Sequence, residues 1–307
     1  MASTNILYDS VSTKGGEGLY SKIHGNGKSL YYMLDGMASL IAGYLFVMNN
    51  YLPLYICLGF NVLAVILSFK FQDIYEVNRE KNKGIKVLVK EYGKDLLASF
   101  KFIKISKRMK AFILFGATFN SIISVINIYR KDLLTFIEVQ PEQFSMIFAI
   151  LTLISGLSIT MKRTIEKKFK NRTLTFLALV YVFTCVLIGL ITYRVANISI
   201  MPFILILYAV QNLLTSIWWV LDYKYLKNFT KENERNRITF TYEFIVCITS
   251  SIVSILAGLL LNILSITNAF LIVGLFWLIV TILVLDYMRK RFGLNPDEYD
   301  KKDIEFT

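Results

Sequence analysis

Apolar stretches of near-constant length alternate with short polar blocks along most of the chain. There are eight such stretches, at about 29–48, 51–69, 111–129, 144–161, 174–193, 199–221, 239–261 and 268–286. A helix needs about 20 apolar residues to cross a hydrocarbon core ~30 Å thick. The pattern therefore predicts an all-α fold, a polytopic bundle of eight transmembrane helices.

The basic residues predict how these helices are oriented. Of the 34 lysines and arginines, 31 fall in the amino-terminal segment, the connections 70–110, 162–172 and 224–237, and the carboxyl tail. The alternate connections hold only Arg130, Lys131 and Arg194. Because basic residues concentrate on the cytoplasmic side, we expect a plasma-membrane protein with both termini in the cytoplasm. The net charge of +12 then needs no nucleic-acid partner.

Catalytic and cofactor motifs are not apparent in the sequence. The tripeptide Gly27-Lys28-Ser29 suggests a phosphate-binding loop, but that motif needs a glycine where Lys22 stands. The single histidine, His24, has no cysteine or carboxylate cluster near it, and all three cysteines lie inside predicted spans. We therefore expect no enzyme activity, no metal site and no cofactor.

Polar side chains recur at helical spacing inside some of the spans. In lipid such groups are tolerated mainly where they face other helices or a water-filled cavity. We expect the following residues to line a substrate cavity: Tyr32 and Asp35 in the first span, Asn120, Ser124 and Asn127 in the third, and Tyr208, Gln211, Asn212, Thr215 and Trp219 in the sixth. The alternative is close helix packing, which we favour for the serine-rich seventh span.

Two intramembrane carboxylates, Asp35 and Glu243, are the candidates for binding a coupling proton. Each lies near the start of its span, so the alternative is that it simply reaches cytoplasmic water. The second, fifth and eighth spans carry few polar groups, and we expect them to face lipid. A period of three helices is typical of repeat-built secondary transporters, and the first triplet here has only two members.

Four stretches carry a resemblance to a known family. They are the opening "LYDSVSTKGGEGLYSKIHGNGKSL", the basic segment 70–110, "KRTIEKKFKNRTL" and "NRITFTYEFIVCITSSIVSILAGLLLN". In order and spacing they resemble cytoplasmic connections and the eleventh helix of the major facilitator superfamily (MFS), specifically its bacterial efflux-type members. The resemblance implies that the eight spans correspond to family helices five to twelve, so the chain looks truncated at its amino terminus.

This correspondence divides the chain into four parts. They are a partial amino-terminal half (1–70), a cytoplasmic linker (71–108), a complete six-helix half (109–290) and a cytoplasmic tail (291–307). The implied function is secondary transport of a small molecule, such as proton-coupled export of amphipathic compounds, by a chain whose other partners are membrane lipids. The alternative is a non-transporting remnant or fragment, for which a missing segment or a partner chain would supply the absent helices.

Overall fold

Helices make up nearly all of the chain that can be described. The computed structural model describes residues 23, 26–27, 30–69, 93–94, 106–169, 172–195, 197–228 and 235–289, and these residues contain no strand. The helices are α1 (Leu30–Met48), α2 (Leu52–Ser68), α3 (Lys107–Phe136), α4 (Pro141–Gly156), α5 (Ser158–Phe169), α6 (Thr173–Arg194), α7 (Met201–Asn228), α8 (Arg235–Leu261) and α9 (Ile266–Arg289). The all-α prediction is confirmed for this part of the chain.

Six of these helices, α1, α3, α6, α7, α8 and α9, are long and apolar enough to cross a membrane. The second and fourth predicted spans are represented by shorter apolar helices, α2 with 17 residues and α4 with 16. At 1.5 Å per residue these reach only about 24–26 Å, less than a hydrocarbon core of ~30 Å. The number of eight spanning helices is therefore not confirmed.

The fourth predicted span, 144–161, is interrupted. Helix α4 ends at Gly156, Leu157 forms a turn, and α5 begins at Ser158. The sequence after the turn is rich in lysine and ends in Lys167 and Lys168. Such a segment is unsuited to hydrocarbon, because each charge placed at a bilayer centre costs about 2.5–3.5 kcal/mol.

The helices fall into two compact units. The first contains α1, α2 and α4, and the second contains α3 and α5 to α9. The structure thus groups α4 with the amino-terminal helices, whereas the sequence-based division at 109 placed it in the carboxyl-terminal half. The linker 71–108 lies almost entirely outside the described residues, as does the whole tail 291–307.

The first unit contains a close contact between α1 and α4. A methyl group on Gly36 would lie 3.0 Å from Leu153 Cγ and 3.3 Å from the carbonyl oxygen of Ala149. Gly43 lies further along the same face of α1, and a methyl group added there would meet the Ser145 side chain. Small residues at such positions let two helix backbones approach closely, and this explains why α4 packs with α1.

The second unit is built around α3, which packs against both α8 and α9. Helix α9 also packs along α6, where Gly189 faces the backbone of Leu271 and Gly274 faces that of Val186. Helix α7 packs on α6 and α5. Ser106 begins α3 by accepting a hydrogen bond from the Met109 amide at 3.3 Å, which satisfies one of the free amides at the helix start.

Helices α6 and α9 correspond to the fifth and eighth predicted spans, which we expected to face lipid. Each has an apolar exposed side, with Phe183 and Leu190 on α6 and Phe276 and Ile279 on α9. Their opposite sides are buried against one another through the glycine contacts described above. The scarcity of polar residues in these two spans thus serves helix packing as well as an apolar outer surface.

Candidate functional site

A buried arginine organises the first polar site of the second unit. Arg130 lies on α3 and only 7% of its surface is exposed. Its Nη2 donates to Gln211 Oε1 of α7 at 3.4 Å, and its guanidinium carbon lies 4.9 Å from the centre of the Tyr208 ring. Cationic groups at this distance are attracted to the ring face. The guanidinium is thus held between α3 and α7.

Gln211 extends this site to α6. Its amide nitrogen donates to Thr184 Oγ1 at 3.1 Å and to Cys185 Sγ at 3.3 Å. With the amide oxygen on Arg130, both ends of the Gln211 side chain are used, and the side chain is fully buried. We call these five residues, Arg130, Thr184, Cys185, Tyr208 and Gln211, the Arg130 cluster.

A second polar site joins α7 to α8 through two reciprocal hydrogen bonds. The Tyr242 hydroxyl of α8 donates to Asp222 Oδ1 of α7 at 2.6 Å. In the opposite sense, the Tyr223 hydroxyl of α7 donates to Glu243 Oε1 of α8 at 3.1 Å. We call these four residues the carboxylate cluster. Asp222 is 4% exposed, whereas Glu243 is only partly buried.

Gly116 on α3 makes room for this arrangement. A methyl group at that position would lie 2.9 Å from both Cε2 and Cζ of the Tyr242 ring and would meet the Tyr242 hydroxyl as well. The ring also stacks on Phe112, with centroids 5.6 Å apart. The glycine therefore allows Tyr242 to reach Asp222 across the interior of the unit.

An aromatic layer separates the two clusters. The ring of Trp218 on α7 meets the rings of Phe115 and Phe119 edge to face, both with centroids 5.3 Å away. Phe119 in turn meets Tyr181 of α6 edge to face at 5.4 Å. All four side chains are buried, so the region along α7 between the two polar sites is filled by rings.

The residues predicted to line a cavity are distributed over different environments. Two of them, Tyr208 and Gln211, come together in the Arg130 cluster. The others differ in burial: one is buried (Asn120), four are half-buried (Tyr32, Ser124, Asn212 and Thr215) and three are exposed (Asp35, Asn127 and Trp219). Asn120 and Ser124 bond within their own helix, to the carbonyl oxygens of Gly116 and Asn120 at 2.8 and 3.0 Å. The structure joins only Tyr208 and Gln211 through a shared partner, and the cavity itself stays a prediction.

Two charged residues of these clusters, Arg130 and Asp222, were not among the predicted site residues. Asp222 continues the series of polar positions on the sixth span, and Arg130 continues the series Asn120, Ser124, Asn127 on the third. Arg130 was expected in an outer connection; in the structure α3 extends to Phe136 and the Arg130 side chain is buried. Extending the helical period past the end of the third apolar run would have found it.

Metal ligation finds no support in the described part of the chain. Those residues contain no group of three histidine, cysteine, aspartate or glutamate side chains placed to hold an ion. The clusters offer instead a buried cation, two carboxylates and several hydroxyls. Such groups bind protons and small polar ligands.

Comparison with known proteins gives no match. No protein-family model matches the chain, and neither a curated protein nor a solved structure is significantly similar to it. The features that indicate a function are therefore the long apolar helices and the two buried polar clusters.

Proposed function

We propose that this chain is a secondary transporter of small molecules that uses Asp222 to bind a coupling proton. The observation that carries the proposal is the environment of this carboxylate. It is buried inside a bundle of membrane-spanning helices, and its one hydrogen-bond partner among the described residues is the neutral hydroxyl of Tyr242. Polar and ionisable groups inside membrane helices are costly and typically mark ion or substrate pathways.

A proton would change the energetics of this site more than those of an exposed carboxylate. Among the described residues no cation lies beside Asp222 to offset the loss of water by its ionised form, whereas the protonated form carries no net charge to desolvate. Proton binding therefore favours the state in which Asp222 is buried, and proton release favours a state in which Asp222 is accessible to water. Helix movements that open and close the site would then be linked to the proton gradient.

Glu243 extends this proposal to the neighbouring helix. It accepts a hydrogen bond from Tyr223, which follows Asp222 directly in α7, and it is partly exposed. We assign it the exchange of protons between Asp222 and water. Asp35, the other predicted coupling residue, is exposed in the first unit and receives no role in this mechanism.

The proposal also covers the membrane in which the chain lies and the side on which its termini lie. With Arg130 buried, only Lys131 and Arg194 remain of the three basic residues assigned to the outer side. Counted over eight crossings, with α2 and α4 included, this asymmetry supports an orientation with both termini in the cytoplasm, which we propose for a location in the plasma membrane. The resemblance to the major facilitator superfamily supports export of amphipathic compounds.

Reconstituted liposomes test the proposal directly. The purified chain is placed in liposomes containing a pH-sensitive dye, and a proton gradient drives transport of ethidium as an amphipathic cation or carboxyfluorescein as an amphipathic anion. We expect gradient-dependent flux of at least one dye in the native chain and none in Asp222→Asn. Asparagine keeps the shape and still accepts the Tyr242 hydrogen bond, so the variant removes proton binding with little change in packing.

The matched control is Asp132→Asn, which makes the same chemical change at an exposed carboxylate of α3. Its flux should equal that of the native chain. Undiminished flux in Asp222→Asn would remove Asp222 from the mechanism, and no flux of either dye in the native chain would contradict the transporter proposal.

A further inference from the structure

No acidic side chain among the described residues pairs with the guanidinium of Arg130. It has five N–H donors and no acceptor capacity. Among the described residues, its side-chain partners are the neutral Gln211 oxygen and the Tyr208 ring, and its buried Nε atom has no hydrogen-bond acceptor. A buried charge without a counter-charge is strongly destabilising. A missing acceptor at this position therefore needs an explanation.

The remaining groups of the Arg130 cluster cannot supply that acceptor. The side-chain oxygen of Gln211 already accepts a hydrogen bond from Arg130 Nη2, and its nitrogen donates to Thr184 and Cys185. The hydroxyl of Tyr208 is also fully buried and has no partner among the described residues. The site thus contains two unused donors, one of them charged, and no group among the described residues accepts from Arg130 Nε.

We propose that the Arg130 cluster binds an oxyanion, a carboxylate or a phosphate group, inside the second unit. The planar guanidinium offers paired N–H donors that fit the two oxygens of such a group, and the Tyr208 hydroxyl can donate to it as well. Gln211 holds the guanidinium in place through its contacts with α6. This inference goes beyond the proposed function, because it concerns binding and holds whether or not the chain transports.

Thermal unfolding of the full chain in detergent micelles tests the binding. Sodium acetate or sodium phosphate replaces sodium chloride at constant ionic strength, and the unfolding temperature is followed against anion concentration. A ligand that binds only the folded state raises this temperature in a saturable way. We expect such a rise with at least one of the two oxyanions and its loss in Arg130→Gln.

Tyr208→Phe keeps the test decisive if the arginine variant fails to fold. The hydroxyl has no partner to lose among the described residues, so this variant should be as stable as the native chain when chloride is the only anion. Its affinity for the oxyanion should fall about tenfold, the range expected for one hydrogen bond to a charged group. A purely structural role for Tyr208 would leave that affinity unchanged.

Arg194→Gln is the matched control, since it removes an arginine that is exposed at the end of α6. It should retain the full anion-dependent shift. A parallel series with phosphatidylglycerol or phosphatidylcholine in the micelles distinguishes a lipid phosphate from a free one. A shift that requires phosphatidylglycerol and weakens in Tyr208→Phe assigns the oxyanion to a lipid headgroup.

Two results would overturn the inference. One is an unfolding temperature that does not respond to acetate, phosphate or phosphatidylglycerol relative to their references. The other is a response of equal size and midpoint in the native chain, Tyr208→Phe and Arg130→Gln, because the anion would then act elsewhere on the protein.

Discussion

The Arg130 cluster and the carboxylate cluster bury opposite charges within the same set of helices. In the carboxylate cluster each acid has a tyrosine hydroxyl from the facing helix, at 2.6 Å for Asp222 and 3.1 Å for Glu243. In the Arg130 cluster the cation has one long hydrogen bond and a ring, and its Nε has no acceptor in the described residues. The difference underlies the two proposals, a proton that neutralises Asp222 and an oxyanion that binds at Arg130.

The largest effect is expected at Gly116. In Gly116→Ala the new methyl group collides with the Tyr242 ring, so the ring must leave Phe112 or Asp222. We expect a loss of about 3 kcal/mol in unfolding free energy, since overpacking costs about 1–3 kcal/mol and the lost hydrogen bond adds to it. Reversible unfolding in mixed micelles measures this loss.

Gly258→Ala is its control on α8, where the added methyl meets nothing within 4 Å. There the better helix propensity of alanine should stabilise the chain by up to about 1 kcal/mol. Equal effects of the two substitutions would mean that Tyr242 does not depend on the space at Gly116.

A smaller effect is expected from removing a single hydroxyl of the carboxylate cluster. Tyr242→Phe leaves Asp222 buried without a donor, at a cost of about 2 kcal/mol. Tyr223→Phe removes the donor to the partly exposed Glu243, which water can replace, and should cost less. If the two losses measured by the same unfolding assay are equal, burial does not distinguish the two carboxylates.

Removing the amide of Gln211 tests the Arg130 cluster in the same way. Gln211→Leu deletes the bonds to Arg130, Thr184 and Cys185, and we expect a loss of about 2 kcal/mol, because each of the three hydrogen bonds between membrane helices contributes about 0.6 kcal/mol on average. Asn212→Leu, at the neighbouring half-buried position of α7, should have little effect. A larger loss for Asn212→Leu would indicate that the Arg130 cluster is not the main polar contact of this helix segment.

The smallest effect is expected outside both clusters. Ser250 of α8 lies 3.5 Å from Ser121 of α3, measured between their hydroxyl oxygens. At this distance the contact is weak, and Ser121 already donates to its own helix at 2.7 Å. Ser250→Ala should change the unfolding free energy by less than about 0.5 kcal/mol, which gives the baseline for the other variants.

The sequence was sufficient to predict the helical class and most of the long helices, because apolar length alone identifies a spanning helix. It could not show that α2 and α4 are short, since a hydropathy run does not reveal where a helix ends. Helix α4 ends at Gly156 and its neighbour α5 begins at once. Only the tertiary structure shows that the apolar run 144–161 belongs to two helices.

The polar sites were only partly predictable for a related reason. Helical spacing identified Tyr208 and Gln211 as members of one face of α7, but it gave no information on which neighbouring helix meets that face. Their contact with Arg130 depends on how α3 packs against α7. The pairing of Asp222 with Tyr242 likewise depends on space at Gly116, and no local pattern in the sequence indicates this.

The aromatic layer around Trp218 has an electrostatic consequence for the whole unit. A direct ion pair between Arg130 and Asp222 would neutralise both groups internally and leave neither free to bind a proton or an anion. Gln211, the partner of Arg130, is separated from Asp222 by about 16 Å along α7 at 1.5 Å per residue. Opposite charges at that distance attract by only about 1 kcal/mol at an effective dielectric constant of ~20. The rings of the layer thus act as a spacer that keeps Arg130 and Asp222 too far apart to form an ion pair.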